Sequence, residues 1–430
     1  MKRGYRAPRI IDGKSGQPHL ASVLVVEGDR ISGIVPEGSV GKDVNVVDLG
    51  NCTILPGLID SHVHLVDDSS PRPRAMVETE PRGMTLLRAA QRANHSLRCG
   101  VTALRDMGAP TGVITVLKDA ARAGVADCPT LVTCDTQLTI TGGYGRKENV
   151  LGCEVDGAEG MRKAIRQLFK NGADFVKLMA SGQVSNAGAA LDAAQFTQEE
   201  MNAAVDEAHR LGKKVAVHAV GLKSIESSVL AGVDCIEHGN FMTEALAREM
   251  ALRGIFLVPT LLPYHVLSHP PKELVLAADV VKKSRIAWDM ALNAVRLAMQ
   301  AGVRIGAGTD SGGPCIPHNS VAREIGLLVG AGLSPMEAIA SATRVNALIL
   351  GLADCGTLEA GKLADMVAVQ GNPLEDINAI GRARLVLKSG REIAGAHAGT
   401  NTAPSAGGRL VREVEEGRYL GEEMMLSCRC

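Results

Sequence analysis

Apolar and polar positions divide the chain into a long middle part, where strand-like and helix-like patterns alternate, and two β-rich ends. Eight short runs in the middle part are predicted strands, at residues 58–64, 101–106, 130–134, 174–179, 214–218, 234–238, 255–260 and 304–310. Most of them are rich in Val, Ile and Leu without alternation, which is typical of strands buried on both faces. Strands that alternate with helices indicate parallel βαβ units, and eight units predict an α/β fold of the (β/α)8 TIM barrel type.

The ends of the chain carry shorter strand patterns. Residues 21–26 and 30–35 flank Glu27-Gly28-Asp29, which predicts a hairpin, and residues 363–369 and 384–388 are strand-like near the other end. We therefore expect a small β-sandwich-like domain built from residues 1–55 and 357–410. The barrel would occupy residues 56–356, and residues 411–430 would form a C-terminal tail.

Histidines and an aspartate stand at the ends of several predicted strands. His62 and His64 are two residues apart, so a strand places both side chains on one face, while His218, His238 and Asp310 each end a later run. The active site of a β/α barrel lies at the carboxyl ends of its strands, and nitrogen and oxygen donors gathered there can bind a divalent metal ion. Two histidines at this spacing are often only hydrogen-bonded residues of a protein core. Here the further donors at the ends of later runs favour a metal site.

Lys177 lies inside the apolar run of residues 174–179. A buried ammonium without a partner costs several kcal/mol or loses its proton. One interpretation is therefore an ion pair with a buried carboxylate. The other is a neutral lysine that adds CO2 and becomes a carbamate, whose two oxygens can bridge two metal ions. We favour the carbamate because the lysine shares the predicted barrel with four histidines.

Composition narrows the range of partners. The net charge is −1 and aromatic residues make up 2% of the 430 residues, so neither a basic field nor stacking platforms for nucleic acid are expected. No apolar stretch reaches the roughly 18 residues of a membrane span. The ten cysteines are scattered without a CxxC pair, which favours free thiols in a reducing cytoplasm.

Six segments resemble the amidohydrolase superfamily, in the branch with a binuclear metal centre and a carboxylated lysine. They are PGLIDSHVHL, DFVKLMASG, VAVHAVG, IEHGNF, GTDSG and the closing GTLEAGKLADMVAVQGNPLEDI. The resemblance runs from residue 5 to residue 390 and is greatest with the imidazolonepropionase-like and Xaa-Pro or Xaa-Arg dipeptidase group. Relatives of this kind are commonly homo-oligomers, which we also expect here.

The resemblance implies two divalent metal ions per chain, with zinc as the default, and it implies their ligands. These ligands are His62, His64, Lys177 as a CO2-derived carbamate, His218, His238 and Asp310. His62, His64 and Asp310 would hold the more buried ion, and His218 and His238 the outer one. The carbamate and a hydroxide would bridge the two ions.

Further residues near the ends of the predicted strands are candidates for catalytic or substrate-binding roles, His265 and His318 because they follow the seventh and eighth runs. Asp310 would accept the proton of the attacking water and pass it to the departing amine, and Tyr264 would either donate a hydrogen bond to the oxyanion or serve only as an aromatic residue at the rim. Candidate substrate contacts are Tyr144, Arg146, His265 and His318. Dipeptidase relatives usually carry a histidine at the position of Tyr144, so dipeptidase specificity does not transfer directly.

We therefore expect a hydrolase of C–N bonds in amides of small-molecule substrates, such as a dipeptide (Xaa-Pro or similar) or an N-acyl amino acid. A cyclic-amide hydrolase, a deaminase and a carbamate, urea or thiocarbamate hydrolase remain alternatives, because all of them attack an sp2 carbon with activated water. A catalytically silent scaffold is the alternative of another class.

Overall fold

The structure is a computed structural model that describes residues 2–143, 151–182, 184 and 193–394. Its strands are β1 (Lys2–Ile10), β2 (His19–Glu27), β3 (Arg30–Pro36), β4 (Val44–Asp48), β5 (Cys52–Pro56), β6 (Leu58–Val63), β7 (Val101–Asp106), β8 (Thr130–Thr133), β9 (Gln137–Thr139), β10 (Gly152–Glu154), β11 (Val176–Met179), β12 (Val215–Ala219), β13 (Cys235–His238), β14 (Phe256–Val258), β15 (Met366–Gln370), β16 (Ala383–Lys388) and β17 (Arg391–Ala394).

The α-helices are α1 (Arg82–Arg98), α2 (Val113–Arg122), α3 (Ala158–Lys170), α4 (Gln198–Arg210), α5 (Leu222–Ala231), α6 (Glu244–Arg253), α7 (Leu261–Ser268), α8 (Ala278–Ala301), α9 (Val321–Ala331), α10 (Pro335–Ala340) and α11 (Asn346–Leu350). A π-helical turn at Ser341–Val345 joins α10 to α11. None of the described helices combines the length and the apolar composition needed to cross a bilayer.

Strands from both ends of the chain share one eight-stranded sheet. Its order is β17-β16-β15-β5-β1-β2-β3, and β4 pairs with β1. The hairpin predicted around Gly28 is confirmed, since β2 and β3 pair antiparallel with Glu27 opposite Arg30. The two ends meet where β15 runs antiparallel to β5.

Alternate side chains of β15 belong to different cores. Met366 and Ala368 pack with other apolar residues of the eight-stranded sheet. Val367 and Val369 belong to the larger core that the middle of the chain forms. Because successive side chains of a strand point to opposite faces, one face of this sheet covers its own core and the other joins it to the rest of the protein.

The middle of the chain forms parallel strands connected mostly by helices, an α/β fold. One sheet has the order β6-β7-β8 and the other β10-β9-β11-β12-β13-β14, and the strand pairs in both are parallel. The first seven predicted runs are strands here, with bounds within two residues of the prediction. The eighth run, predicted as a strand at 304–310, is not a regular strand: Ile305 makes an isolated parallel bridge with Leu257 of β14, and Ser311, the residue after the run, makes one with Val63 of β6. It therefore links edge strands of the two sheets.

Helix α4 begins with a capping box at Thr197. The Thr197 side chain accepts the backbone N–H of Glu200, and the Glu200 carboxylate accepts the backbone N–H of Thr197 at 2.8 Å. The start of α10 repeats this capping box with Ser334 and Glu337. Reciprocal bonds of this kind satisfy N–H groups that the first turn of a helix leaves without a partner.

Candidate metal centre

Two adjacent segments bring His62, His64 and Asp310 together. The backbone N–H of Asp310 donates to the His62 carbonyl at 2.8 Å, and that of His64 donates to the Ser311 carbonyl at 2.8 Å. This pairing sets Asp310 Oδ1 at 3.6 Å from His62 Nε2 and 3.5 Å from His64 Nε2. One ligand atom from each residue lies within 4.8 Å of the others, so the three could hold a single metal ion.

His218 and His238 continue the same cluster on neighbouring strands. Strand β12 pairs with β13 so that Ala219 lies opposite His238. The ring centroids of His218 and His238 are 4.4 Å apart, and those of His62 and His238 are 5.3 Å apart. The structure therefore brings together all four histidines that the sequence analysis assigned to the metal centre.

Lys177 is buried beside these histidines. It lies on β11, whose pairing with β12 places Met179 opposite His218, and its side chain is 1% exposed. Within the described part of the chain, its Nζ has no hydrogen-bond partner. Burial lowers the pKa of Lys177 from 10.5 to about 8. The described structure therefore shows no hydrogen bond from Lys177 to a buried carboxylate, which the ion-pair interpretation would lead us to expect. A partly neutral amine fits the other interpretation, a lysine that adds CO2.

Hydrogen bonds on the outer side of the rings fix the orientation of the histidines. The bonded pairs are His62 Nδ1 with Glu237 at 2.8 Å, His64 Nδ1 with the Gly108 carbonyl at 3.3 Å, His238 Nδ1 with the Thr260 hydroxyl at 2.6 Å, and His218 Nε2 with the Gly182 carbonyl at 3.3 Å. Metal-binding histidines commonly use one ring nitrogen in this way, because the bond fixes the tautomer and aims the other nitrogen at the ion.

Burial also keeps the imidazoles neutral. It lowers the pKa of His64 to about 4 and that of His218 to about 3, and it lowers the pKa of His62 and of His238 well below the usual value. A neutral imidazole is the form that binds a metal ion. The cluster is therefore ready to bind a cation at neutral pH without first losing protons.

Tyr264 lies against the cluster. It is on α7, is 4% exposed, and packs its ring edge-on against His238 with the centroids 5.9 Å apart. The next residue, His265, has its described ring contacts with His269 and Trp288 instead. The two residues therefore sit in different surroundings, and only Tyr264 contacts a predicted ligand in the described structure.

His318 is buried against the loop that follows β6. Its Nε2 bonds to the Asp67 carbonyl at 2.9 Å, and burial lowers its pKa to about 3. Its described bonds support the loop after β6 and do not reach the histidine cluster. Tyr144 and Arg146, the remaining predicted substrate contacts, lie outside the described residues.

Several buried polar residues that support the cluster were missed by the sequence analysis. Asp60 accepts the backbone N–H of Thr309 at 3.0 Å and its hydroxyl at 2.6 Å, which ties β6 to the segment that carries Asp310. Glu237 and Arg105 form a buried ion pair behind His62 at 2.7 Å. The available signal was a charged residue inside an otherwise apolar strand, which requires a partner when it is buried.

A cavity of about 330 Å³ lies at the opposite end of the strands. Its lining includes Thr130, Val215, Cys235 and Phe256, and each of these is the first residue of a strand. The histidines stand at the last positions of their strands or just after them. The cavity is therefore separate from the candidate metal centre, although Arg105 also lines it.

Comparisons with known proteins agree with this site. The Amidohydrolase family model matches residues 53–393. Ochratoxinase from Aspergillus niger is 31% identical over 353 residues, which cover 75% of this chain and 71% of that protein. Imidazolonepropionase from Hyphomonas neptunium is 27% identical, with 88% of this chain and 96% of that protein covered.

A solved structure of an Xaa-Pro dipeptidase, with methionine bound in its active site, is similar over 92% of this chain and 100% of its own, with a TM-score of 0.84 and 32% identity. The family model and this structural match each cover well over half of the chain. The chain therefore belongs to the amidohydrolase family and is a hydrolase of carbon–nitrogen bonds.

Proposed function

We propose that this protein hydrolyses an amide bond of a dipeptide, Xaa-Pro or similar, or of an N-acyl amino acid, at a centre of two divalent metal ions. The observation that carries the proposal is the convergence of four histidines and Asp310, with the buried Lys177 on β11 next to the strand of His218. The similarity to an Xaa-Pro dipeptidase at 32% identity supports the choice of substrate.

We also propose that the parallel strands close into a (β/α)8 barrel, with residues 304–310 as its eighth strand. The bridges from this segment to β14 and to β6 support the closure. In such a barrel the functional groups lie at the carboxyl ends of the strands, where the histidines are. The division into a small β domain of residues 1–55 and 357–410, a barrel of residues 56–356 and a tail of residues 411–430 remains part of the proposal.

The donor set fits two divalent ions. His62, His64 and Asp310 would hold one ion, and His218 and His238 the other, with zinc as the default for nitrogen and oxygen donors. Ions in these positions would supply Lewis-acid activation of a water molecule and of the scissile carbonyl. The protein's contribution is to hold neutral imidazoles in place and to bury them.

We propose that Lys177 carries a carbamate. Its neutral Nζ would attack the carbon of CO2, so that an N–C bond forms, one C=O π bond breaks to give a carboxylate, and one proton is released to solvent. The carboxylate would add anionic oxygen donors to the ligand set. The pKa of about 8, lowered by burial, supports a sizeable fraction of neutral amine near pH 7 to 8. The negative charge of the carbamate would also compensate the positive charge of the bound ions.

Asp310 and Tyr264 are the proposed catalytic side chains. Asp310 is 23% exposed, so a substrate can reach its carboxylate, which would take a proton from the attacking water and return it to the departing amine. The Tyr264 hydroxyl would donate a hydrogen bond to the developing oxyanion. Tyr144, Arg146, His265 and His318 remain proposed substrate contacts, the first two for a substrate carboxylate.

Hydrolysis of a cyclic amide is the second candidate function. It is supported by the alignment with imidazolonepropionase, which covers 88% of this chain. A deaminase and a carbamate, urea or thiocarbamate hydrolase use the same kind of centre but have less support. Homo-oligomerisation and a cytoplasmic location remain predictions, which size-exclusion chromatography with light scattering and cell fractionation can test.

The decisive experiment is a substrate screen with zinc-loaded protein. Dipeptides, N-acyl amino acids and cyclic amides are incubated with the wild type, with the Asp310→Asn variant, and with a His209→Asn control, since the His209 side chain is 43% exposed on α4. We expect turnover of a linear amide by the wild type and the control only. Turnover of cyclic amides alone would favour the second candidate. Fewer than one bound ion per chain and no turnover would refute the proposal and favour a silent scaffold.

A further inference from the structure

A buried ion pair stands directly behind His62. Glu237, on β13, and Arg105, on β7, are 0% and 3% exposed. One carboxylate oxygen of Glu237 accepts from His62 Nδ1 at 2.8 Å, and the other accepts from the Arg105 guanidinium at 2.7 Å. Arg105 Nε also donates to the Ser61 carbonyl at 2.5 Å. The ion pair therefore connects β7 and β13 with β6 at Ser61, the residue that precedes the proposed ligand His62.

The ring bond of His62 differs from those of the other cluster histidines. The described outer bonds of His64, His218 and His238 end on neutral oxygens of backbone carbonyls or a hydroxyl. Glu237 offers His62 an ionised acceptor, and charge-assisted hydrogen bonds are about twice as strong as neutral ones. A carboxylate partner also raises the electron density of the imidazole and makes the opposite nitrogen a better metal donor.

Arg105 makes this arrangement possible. A buried carboxylate without compensation would be expensive, and a nearby guanidinium offsets most of that cost. Because the same guanidinium also bonds the carbonyl of Ser61, it fixes the position of the carboxylate relative to the backbone that carries His62. The Arg105 side chain reaches both the Glu237 carboxylate and the Ser61 carbonyl, which a shorter or an apolar side chain could not do.

We propose that Glu237, held by Arg105, is a positioning residue that keeps the proton of His62 on Nδ1 and makes Nε2 of His62 the strongest nitrogen donor of the cluster. The ion held by His62, His64 and Asp310 is then bound more tightly than the ion held by His218 and His238. This inference rests on the metal centre of the proposed function. It adds the supporting pair Glu237 and Arg105, and it predicts which of the two ions is bound more tightly.

Stepwise metal removal tests the order of affinity. Zinc-loaded protein is titrated with a chromogenic chelator, and the dissociation constants of the two ions are compared for the wild type, Glu237→Gln and Glu237→Leu. The glutamine keeps a neutral acceptor for Nδ1, whereas the leucine keeps none. We expect the affinity of the tighter ion to fall about 10-fold in the first variant and about 100-fold in the second, the range typical for lost partners of ligating histidines.

Glu207→Gln is the matched control. Glu207 is also a buried glutamate, 1% exposed and bonded to Arg166 and Arg210, but its described partners do not include the histidines. It should change stability without changing either affinity. If Glu237→Gln and Glu237→Leu lower the melting temperature but leave both metal affinities as in the control, Glu237 is structural only and the inference is wrong.

A measurement on the metal-free wild type keeps the inference testable even if the Glu237 variants do not fold. Nitrogen-15 NMR of protein with labelled histidine, with the His62 signal assigned by its loss in His62→Gln, reports which ring nitrogen carries the proton. We expect Nδ1–H. An Nε2–H tautomer would overturn the inference, whereas an Nδ1–H signal in a wild type that binds no metal would refute the proposed function and leave the positioning role standing.

Discussion

Replacing Lys177 with methionine should stabilise the metal-free protein while destroying the metal centre. The amine is 1% exposed and its Nζ has no hydrogen-bond partner in the described structure. Methionine has a similar length and no charge to bury, and replacing a buried charged group with an apolar one of similar shape is often neutral or stabilising. We expect opposite effects on metal binding and on stability because the buried Lys177 is needed for the metal centre but destabilises the folded protein.

The size of the gain comes from the pKa. Burial lowers the pKa of Lys177 from 10.5 to about 8, and each pH unit of displacement corresponds to roughly 1.4 kcal/mol, so the folded state loses about 3 kcal/mol at pH 7. The sign follows from proton binding. Between pH 8 and 10.5 the unfolded chain holds a proton that the folded chain has lost, so the wild type becomes more stable as the pH rises. The advantage of Lys177→Met should therefore shrink to about 1 kcal/mol at pH 9.5.

The assay is urea denaturation of both proteins after metal removal in bicarbonate-free buffer, at several pH values from 7 to 9.5. Only the difference between the two proteins is interpreted, because other groups titrate in the same range. A variant that is less stable than the wild type at pH 7, or a difference that does not change with pH, would refute the reasoning. Metal analysis and the substrate screen on the same variant should show loss of bound ions and of turnover.

Two further predictions concern the neighbours of the proposed ligands. Gly308→Ala would place a β-carbon 2.7 Å from that of His62, so overpacking should lower the free energy of unfolding by about 1–3 kcal/mol in urea denaturation and weaken metal binding. The control is Gly326→Ala on α9, where the new β-carbon has no neighbouring atom within 4 Å, and it should raise the free energy of unfolding by about 0.5–1 kcal/mol. Equal stability changes in the two variants would contradict the contact. Thr260→Val removes the acceptor of His238 Nδ1 and should weaken binding of the outer ion about 10- to 100-fold by chelator competition, and Thr260→Ser should retain it. Identical affinities in both Thr260 variants would exclude the hydroxyl as the anchor of that ring.

The sequence predicted most of the parallel strands because their apolar runs are continuous, and it placed the histidines because they end those runs. It missed β9, a strand of three residues at Gln137–Thr139 that pairs with β11, because so short a run carries no readable period. The eighth run, residues 304–310, was predicted as a strand like the other seven, but the structure has no regular strand there. Gly306 and Gly308 lie close against neighbouring side chains there, and the segment forms isolated bridges, not a regular strand.

The supporting residues could not be assigned from the sequence because their role depends on pairs far apart in the chain. Arg105 and Glu237 are 132 positions apart, and each alone is only a charged residue in an apolar strand. His62 and Glu237 are 175 positions apart. Local patterns predict which side chains reach a strand end, but the partner of a buried charge is decided by which strands become neighbours.

Backbone strain at the site is a feature that no local pattern of residues predicted. His238, Thr260 and Asp310 have φ values of 74°, 44° and 55°, in the left-handed region that non-glycine residues avoid. Such residues cost about 1–3 kcal/mol each and persist only where the surrounding structure holds them. At Thr260 the following N–H groups of Leu261 and Leu262 both donate to the buried Glu324 carboxylate, at 2.8 Å each.

Strain at the ends of three separate segments has a common consequence. At His238 and Asp310 the left-handed turn comes at a residue whose side chain is a proposed ligand, and at Thr260 it comes at the residue whose hydroxyl bonds His238. At Asp310 the backbone N–H still bonds the His62 carbonyl at 2.8 Å, which fixes this turn to β6. Because these contacts lie within the protein itself, the geometry of the site should be established before any ion binds. Metal-free protein should therefore keep the tautomers of its histidines, and folding should not require metal.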